Sequence, residues 1–146
     1  MWTYEISTGR MFDPGGNLAG HGYSGAPPNP NDPQDEGKPG YIDDPADEDL
    51  KARGPIPAGL YTIGPAQVHP HLGPVAMPLT PDHENEMHGR SGFWIHGDSV
   101  RAPGTASLGC IIQPRATRLT MDASSDRRLQ AVDFLPPTMP TATTGS

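Results

Sequence analysis

The chain has a single cysteine, Cys110, among its 146 residues, and this excludes an internal disulfide framework. Long apolar runs are also lacking: 34% of the residues are hydrophobic, and no run approaches the roughly 18 residues that cross a bilayer. The first residues, Met1 to Glu5, contain neither a basic segment nor an apolar one, so we expect no secretory signal. The sequence therefore predicts neither a membrane protein nor a disulfide-stabilised scaffold.

Basic residues are few, and the charge is unevenly distributed. The formal net charge is −7, and residues 32 to 49 alone contribute eight acids and one base, Lys38. The other nine acids and nine bases cancel, so we find no Lys/Arg cluster for phosphate contacts and expect no nucleic-acid binding. We interpret residues 32–53 as a solvated acidic loop insertion, of which residues 34 to 49 are dispensable for folding. A flap over a functional site and a docking surface for a basic partner are the alternatives.

Proline and glycine, in contrast, are abundant, with 19 and 18 residues. They separate short runs in which apolar and polar side chains alternate, a pattern that indicates strands. The predicted strands are 2–6 and 11–12 in a first hairpin, 60–63, a short edge or end strand at 75–79, 93–96, 110–112 and 129–134, with loops at 17–33 and 68–74. Pro114 favours one short helix from Arg115 to about Met121. The sequence thus predicts a mainly β domain over residues 1–136, a curved sheet or open β-barrel with one short helix and long loops, followed by a disordered tail at 137–146.

The cysteine lies in a context that favours nucleophilic catalysis over an inert buried side chain. A short apolar run leads to His96 and Gly97, and Cys110 follows fourteen residues after His96, in the sequence Ser107-Leu-Gly-Cys. A free thiol has a pKa of roughly 8.5, so it needs a base such as an imidazole to become a nucleophile near neutral pH. We therefore expect acyl-transfer chemistry with Cys110 as the nucleophile and His96 as the base.

The glycines of this motif predict how a reacting carbonyl is stabilised. Backbone N–H groups approach a substrate closely where no Cβ intervenes, so the N–H groups of Gly109 and Cys110 are the expected oxyanion donors. Ser107 is expected to orient the imidazole or to line the oxyanion site. The role of an ordinary turn serine explains Ser107 equally well.

His-Gly, a spacer of this length and Ser-x-Gly-Cys together resemble the active-site signature of the L,D-transpeptidases with the YkuD fold. Further segments are similar, in the same order, to the Tlde1/DUF2778 branch of that superfamily. They are Trp2–Gly9 (WTYEISTG), Gly22–Gly25 (GYSG), Gly54–Ile63 (GPIPAGLYTI), Pro78–Pro81 (PLTP) and Gly89–Asp98 (GRSGFWIHGD). The similarity extends from about residue 2 to about residue 134.

The resemblance implies a YkuD-like fold and a cysteine enzyme without a cofactor that acts on the stem peptides of peptidoglycan. It implies L,D-carboxypeptidase activity, L,D-transpeptidase activity with D-amino-acid exchange, or both. It also implies an antibacterial toxin or effector that leaves the cell by a route other than general secretion, such as a type VI system, and acts in the periplasm or cell wall of a target bacterium. A phage-type wall lysin of the same fold would have nearly the same sequence. The expected partners are stem peptides and an immunity protein or secretion-system component, for a monomer that binds neither nucleic acid nor membrane.

The implied substrate carries free carboxylates, which an arginine can bind bidentately. Arg90 is the first candidate for this contact because it lies within a matched segment, and Arg115 is the second. The resemblance alone places Gly22–Gly25 beside the site. The full set of expected substrate-binding residues is Arg90, Tyr23, Ser24, Asp98 and Arg115.

The motif departs from the commoner transpeptidase pattern at two positions. Leu108 stands where many of these enzymes have a histidine, and Ile112 stands where many have an arginine or asparagine. His96 is therefore the only base that we expect.

Six histidines leave a metal alternative open, a zinc-dependent wall amidase or endopeptidase. Catalytic zinc needs three protein ligands and an open fourth position. Four of the histidines outside the cysteine motif, His69, His71, His83 and His88, show no recognised metal-ligand spacing, and zinc chemistry would leave Cys110 without a role. We therefore expect no metal. A wall-binding module that has lost its chemistry is a third class, which the presence of both Cys110 and His96 disfavours.

Overall fold

Short strands separated by turns build the fold, as the spacing of Pro and Gly predicts. The structure, a computed structural model, describes residues 1–37 and 40–136, and the tail predicted at 137–146 lies outside these residues. Within the described residues there are ten strands, one α-helix and two short 3-10 helices. The strands are β1 Trp2–Glu5, β2 Arg10–Phe12, β3 Leu18–His21, β4 Tyr23–Ser24, β5 Gly59–Ile63, β6 Gln67–His69, β7 Gly73–Pro81, β8 Trp94–His96, β9 Ile111–Ile112 and β10 Arg128–Val132; the helices are α1 Arg115–Ala123 and the 3-10 turns Pro33–Asp35 and Pro45–Asp47.

The ten strands of the described residues form one mixed sheet that is not closed into a barrel, which confirms the mainly β prediction. The order is β3-β2-β1-β10-β5-β7-β8-β9-β4, and β6 pairs with β7 at the side. The predicted first hairpin is present, with β1 and β2 antiparallel. Two pairs are parallel, β1 with β10 and β8 with β9. The second of these places the two halves of the cysteine motif side by side.

The core forms where alternate residues of neighbouring strands point to the same face. Trp2 and Tyr4 of β1 lie in register with Leu129 and Ala131 of β10, and all four are buried. The helix α1 begins directly after Pro114, as predicted, and contributes Met121 to the same cluster. Burying one large apolar side chain contributes roughly 1.5–3 kcal/mol, so this cluster supplies much of the stability of a chain with few apolar residues.

Strand β7 is longer and more central than the sequence indicates. The sequence predicts a short edge or end strand, whereas β7 has nine residues and pairs with β5, β6 and β8. Pro78 was the reason for the prediction, because proline has no N–H for a ladder. Its carbonyl accepts from the N–H of Gly64 at 2.8 Å, immediately after β5 ends at Ile63. The missing N–H therefore lies past the end of β5, where the Gly64 carbonyl accepts from the Arg127 guanidinium at 2.8 Å.

Two strands, β3 and β4, lie in the segment 17–33, where the sequence predicts only a loop. Glycines obscure the strand pattern because they add no side chain that alternates. Close packing requires glycine at two positions of this segment. A Cβ on Gly20 would lie 2.2 Å from Thr117 Oγ1, and a Cβ on Gly22 would lie 1.6 Å from the carbonyl oxygen of Ile112. In the same way, β6 occupies the start of the loop predicted at 68–74.

The described part of the acidic segment is packed against the domain, which corrects the expectation of a solvated insertion. Tyr41 is 4% exposed, and its hydroxyl donates to Asp35, which is equally buried. The Arg53 guanidinium donates to Asp35 Oδ1 at 2.8 Å and also pairs with Asp32. Ala26 binds the segment at its middle and at its C-terminal end: its carbonyl accepts from the Tyr41 N–H at 2.9 Å, and its N–H donates to the Arg53 carbonyl at 2.7 Å.

Several carboxylates of this segment accept hydrogen bonds from the backbone. Asp32 and Asp44 each accept the N–H two residues further on and so begin the two 3-10 turns. The second turn lies at Pro45–Asp47. Asp43 accepts the Ser24 N–H at 3.1 Å, and burial raises the pKa of Asp43 to about 6. The charge of the segment alone therefore did not predict that these acids accept local backbone N–H groups.

We expect Tyr41→Ala to lower the midpoint of thermal unfolding by about 10 °C, because it removes a buried aromatic ring and one donor to Asp35. Ile42→Ala is the matched control, since Ile42 is 37% exposed, and it should lower the midpoint less than half as much. Circular dichroism melts measure both. An unchanged midpoint for Tyr41→Ala would restore the interpretation of a dispensable, solvated loop.

Candidate active site

The parallel pair β8–β9 brings His96 and Cys110 together. Ile95 pairs with Ile111 and His96 pairs with Ile112, so Cys110, two residues before Ile112, lies toward the same face as His96. Both side chains line one cavity of about 490 Å³. The other residues of its wall are Lys51, Ala52, Leu72, Gly89, Arg90, Ser91, Gly92, Phe93, Ala106, Leu108 and Gly109.

His96 is held in the tautomer that a general base needs. Its Nδ1 lies 2.9 Å from the carbonyl oxygen of Gly97, and because a carbonyl only accepts, Nδ1 carries the proton. Nε2 is then the unprotonated nitrogen. Burial lowers the pKa of His96 below its ordinary value, and the positive charge of Arg118 lowers it further, against the opposing effect of the Gly97 bond. The imidazole is therefore neutral near pH 7 and able to accept a proton.

Cys110 is a partly buried thiol at the start of β9. Its Sγ lies 3.9 Å from the carbonyl oxygen of Gly92, the geometry of a weak S–H donor. Burial raises the pKa of the thiol above its ordinary value, while a backbone bond from Trp94 and the positive charge of Arg90 oppose the rise. The resting site thus holds a neutral thiol and a neutral imidazole, with donors and charge in place to stabilise the thiolate when it forms.

Ser107 organises the backbone of residues 107–110, the cysteine loop. Its hydroxyl is fully buried; it donates to the Cys110 carbonyl at 2.7 Å and accepts from the N–H groups of Gly25 at 2.9 Å and Gly109 at 3.0 Å. None of these partners is the imidazole of His96, so the geometry matches the turn-serine alternative. The Gly109 N–H points at Ser107, which leaves the Cys110 N–H as the remaining oxyanion donor of the two named from the sequence.

Ser24 holds the same loop from the opposite side. Its buried hydroxyl donates to the Gly109 carbonyl at 2.9 Å and accepts from the Ile56 N–H at 2.8 Å. Ser24 does not line the cavity that contains Cys110, in contrast to the substrate contact expected for it. It positions the cysteine loop against the segment that leads into β5.

Arg90 is on the cavity wall, but its donors are already used. Nη1 donates to the carbonyls of Glu48 at 2.6 Å and Pro55 at 2.7 Å, and Nη2 donates to those of Gly54 at 2.9 Å and Leu108 at 3.3 Å. The side chain is buried, and no described carboxylate lies within ion-pair distance of it. Bidentate binding of a substrate carboxylate needs two free N–H groups on one edge, so the geometry favours a positioning role.

The remaining expected residues, Tyr23, Asp98 and Arg115, line a neighbouring cavity of about 390 Å³. The Tyr23 hydroxyl donates to Asp98 Oδ1 at 2.6 Å and accepts from the Ala106 N–H at 2.9 Å. Asp98 also accepts from the N–H of Gly104 at 3.1 Å. Although burial acts in the opposite direction, these bonds lower the pKa of Asp98 below its ordinary value. Tyr23 and Asp98 thus stabilise the connection between β8 and the cysteine loop.

The sequence motifs do not predict that residues of the acidic segment form part of the cavity wall. Lys51 and Ala52 reach the cavity because Arg90 binds the backbone on both sides of them. One feature of the sequence could have pointed to Lys51: it lies three residues before Gly54, where the family-like segment Gly54–Ile63 begins.

The histidines do not assemble a metal site in the described part of the chain. Over residues 1–37 and 40–136, no three His, Cys, Asp or Glu side chains form a group that could hold a metal ion. His69 and His71 lie next to each other beside Trp94, and His88 lies 3.0 Å from Glu48. Within the same residues, no helix is long and apolar enough to span a bilayer.

We expect Ser107→Ala to lower the free energy of unfolding by about 2 kcal/mol, because buried backbone groups of the cysteine loop lose their partner. Ser91→Ala is the matched control: Ser91 is exposed on the same cavity wall and should change the free energy by less than about 0.5 kcal/mol. Urea unfolding measures both variants. Equal effects would contradict an organising role for Ser107.

The alkylation of Cys110 by iodoacetamide should accelerate steadily from about pH 6 to about pH 9, because only the thiolate reacts and burial raises the pKa of this thiol. Mass spectrometry of the labelled chain measures the rate at each pH. The urea-denatured protein is the control and should reach its plateau at a lower pH than the folded protein. A plateau already near pH 6 in the folded protein would indicate a resting thiolate–imidazolium pair instead.

Comparison with known families identifies the domain to which this site belongs. Residues 36–133, about two thirds of the chain, match the family model of the Tlde1 domain. This range contains β5 to β10, the cavity and both His96 and Cys110. Comparisons with curated proteins and with solved structures gave no match. The chain therefore belongs to the Tlde1 domain family.

Proposed function

We propose that this protein is a YkuD-like cysteine enzyme that cleaves the stem peptides of peptidoglycan as an L,D-carboxypeptidase, an L,D-transpeptidase, or both. The observation that carries the proposal is the shared cavity of Cys110 and His96, with Nδ1 of His96 bonded to a backbone carbonyl. That bond leaves Nε2 to take the thiol proton, the arrangement that nucleophilic catalysis by cysteine requires.

The reaction proceeds through a thioester. Cys110 Sγ attacks the carbonyl carbon of the L-centre that precedes a D-amino acid, and Nε2 of His96 takes the thiol proton. The tetrahedral intermediate collapses when the bond to the D-amino acid breaks, and His96 returns the proton to the leaving amine. Water then releases the shortened peptide, or an amine forms a new amide bond; the first outcome is carboxypeptidase activity and the second is transpeptidation or exchange.

The surrounding backbone and Arg90 support two charged species along this path. The thiolate is stabilised by the backbone bond from Trp94 and by the charge of Arg90. The oxyanion of the tetrahedral intermediate is assigned to the Cys110 N–H, since the Gly109 N–H is bonded to Ser107. One donor of this kind contributes on the order of 100-fold or more to the rate of an acyl transfer.

The family assignment suggests a toxin effector. Cleavage of stem peptides weakens the cross-linking of the wall, which suits an effector that acts in the periplasm of a target bacterium. We propose that the protein reaches that compartment by a route other than general secretion and that an immunity protein protects the producing cell. A phage-type lysin with the same chemistry is the second candidate, and growth inhibition on periplasmic expression with an added export signal would occur for both.

The decisive assay is digestion of purified peptidoglycan followed by mass spectrometry of the released fragments. We expect Cys110→Ala and His96→Ala each to reduce activity at least about 1,000-fold, and the double variant to be little worse than either, because nucleophile and base act as a unit. His83→Ala is the matched control, because His83 is exposed and lies outside the cavity, and it should retain full activity.

Two results would overturn the mechanism. Full turnover by Cys110→Ala, or activity that EDTA abolishes and iodoacetamide does not, would favour the zinc hydrolase alternative. Multiplicative losses in the double variant would mean that another residue is the base, and His88→Ala would then be measured next.

A further inference from the structure

The cavity that contains Cys110 carries positive charge on its wall. Lys51 and Arg90 are the two basic Lys or Arg side chains on this wall, and none of the described residues that line it is Asp or Glu. This is unexpected in a chain with a net charge of −7. A cavity with basic side chains and no acidic side chain on its described wall fits an anionic ligand.

Arg90 does not supply the contact to that anion. Four of its N–H groups donate to backbone carbonyls, and its guanidinium lies over the Phe93 ring at 5.1 Å. Turning these donors to a ligand would leave the carbonyls of Glu48, Gly54 and Pro55 without their partner in a buried place.

Lys51 is placed to make the contact. It is exposed at the cavity wall, and its Nζ lies 3.8 Å from the position that a Cβ on Gly89 would occupy. Across residues 1–37 and 40–136, no carboxylate lies within ion-pair distance of this ammonium group. Its charge is therefore free to bind an anion that enters the cavity.

The turn that presents Lys51 is held on both sides. Arg90 binds the Glu48 and Gly54 carbonyls, and the Gly54 N–H donates to the Leu50 carbonyl at 2.9 Å. The Glu48 carboxylate accepts the Ala58 N–H at 3.0 Å through one oxygen. A fixed backbone reduces the entropy lost when a side chain binds its ligand. The acidic segment thus contributes one cation, carried on a fixed backbone, to the wall of the cavity.

We propose that Lys51 binds the carboxylate of the D-amino acid that leaves the substrate, and so makes the site specific for peptides with a free C-terminus. The assignment rests on the proposed function, because it takes the stem peptide as the substrate. A charge-assisted bond of this kind corresponds to about a 10- to 100-fold difference in binding. Lys51 is therefore a specificity-determining residue and takes no part in the proton transfers.

The test compares two synthetic tetrapeptide stems, one ending in D-alanine and one in D-alaninamide, with the full-length protein. Lys51→Gln should lower kcat/KM for the free acid about tenfold or more, mainly through KM, and should change it less than twofold for the amide. Lys51→Arg should restore most of the loss, because the positive charge returns. Arg101→Gln is the matched control, since Arg101 is an exposed cation outside the cavity, and it should leave both substrates within twofold.

Equal losses on the acid and the amide, or no loss on the acid, would overturn the assignment. If the wild-type protein cleaves neither peptide, the proposed function fails, and binding then tests Lys51 by itself. The Cys110→Ala protein should bind the acid about tenfold more tightly than the amide in calorimetry, and Lys51→Gln in that background should abolish the difference. Equal binding of the two peptides by Cys110→Ala would also overturn the role of Lys51.

Discussion

The buried guanidinium of Arg90 is the contact on which the site depends. It donates to four carbonyls that belong to two separate segments, Glu48 to Pro55 and the cysteine loop at Leu108. Burying a cation without a paired carboxylate costs folding free energy unless its N–H donors are hydrogen-bonded. Backbone carbonyl oxygens accept the donors of the two Arg90 Nη atoms. Gly109 has to lack a side chain for the same reason, because a Cβ there would lie 2.5 Å from Arg90 Nη2. The consequence is a positive charge beside Cys110 with no carboxylate within ion-pair distance among the described residues.

Hydrogen bonds from two buried hydroxyls complete the cysteine loop. Ser107 bonds three backbone groups, of which two belong to the loop itself, and Ser24 connects the Gly109 carbonyl to the Ile56 N–H. The loop backbone is thereby fixed before any substrate binds, which is the condition for a backbone N–H to stabilise an oxyanion without reorganisation. Loop and strand pairing together determine where the thiol points.

The electrostatics of the site favour a base-assisted mechanism over a resting ion pair. Burial raises the pKa of Cys110 and lowers that of His96, so both groups are neutral at rest. The same burial strengthens the interactions with Trp94 N–H and Arg90 once the proton moves, because a low dielectric constant increases both. In the proposed mechanism, desolvation therefore keeps the thiol protonated at rest, and the thiolate forms when His96 takes the proton.

The sequence was sufficient to predict the strand-rich class, the helix after Pro114 and a shared location for His96 and Cys110, because period-two alternation, proline and a Gly-flanked thiol are local signals. It did not predict β3, β4 or the central position of β7, since Gly20 and Pro78 depend on neighbours that are distant in the chain. The roles of Arg90 and Ser24, and the position of Lys51 on the cavity wall, likewise depend on contacts that exist only in the folded chain. The physical reason is that a donor's function depends on which acceptor lies within about 3 Å of it, and those acceptors come from segments that meet only in the folded chain.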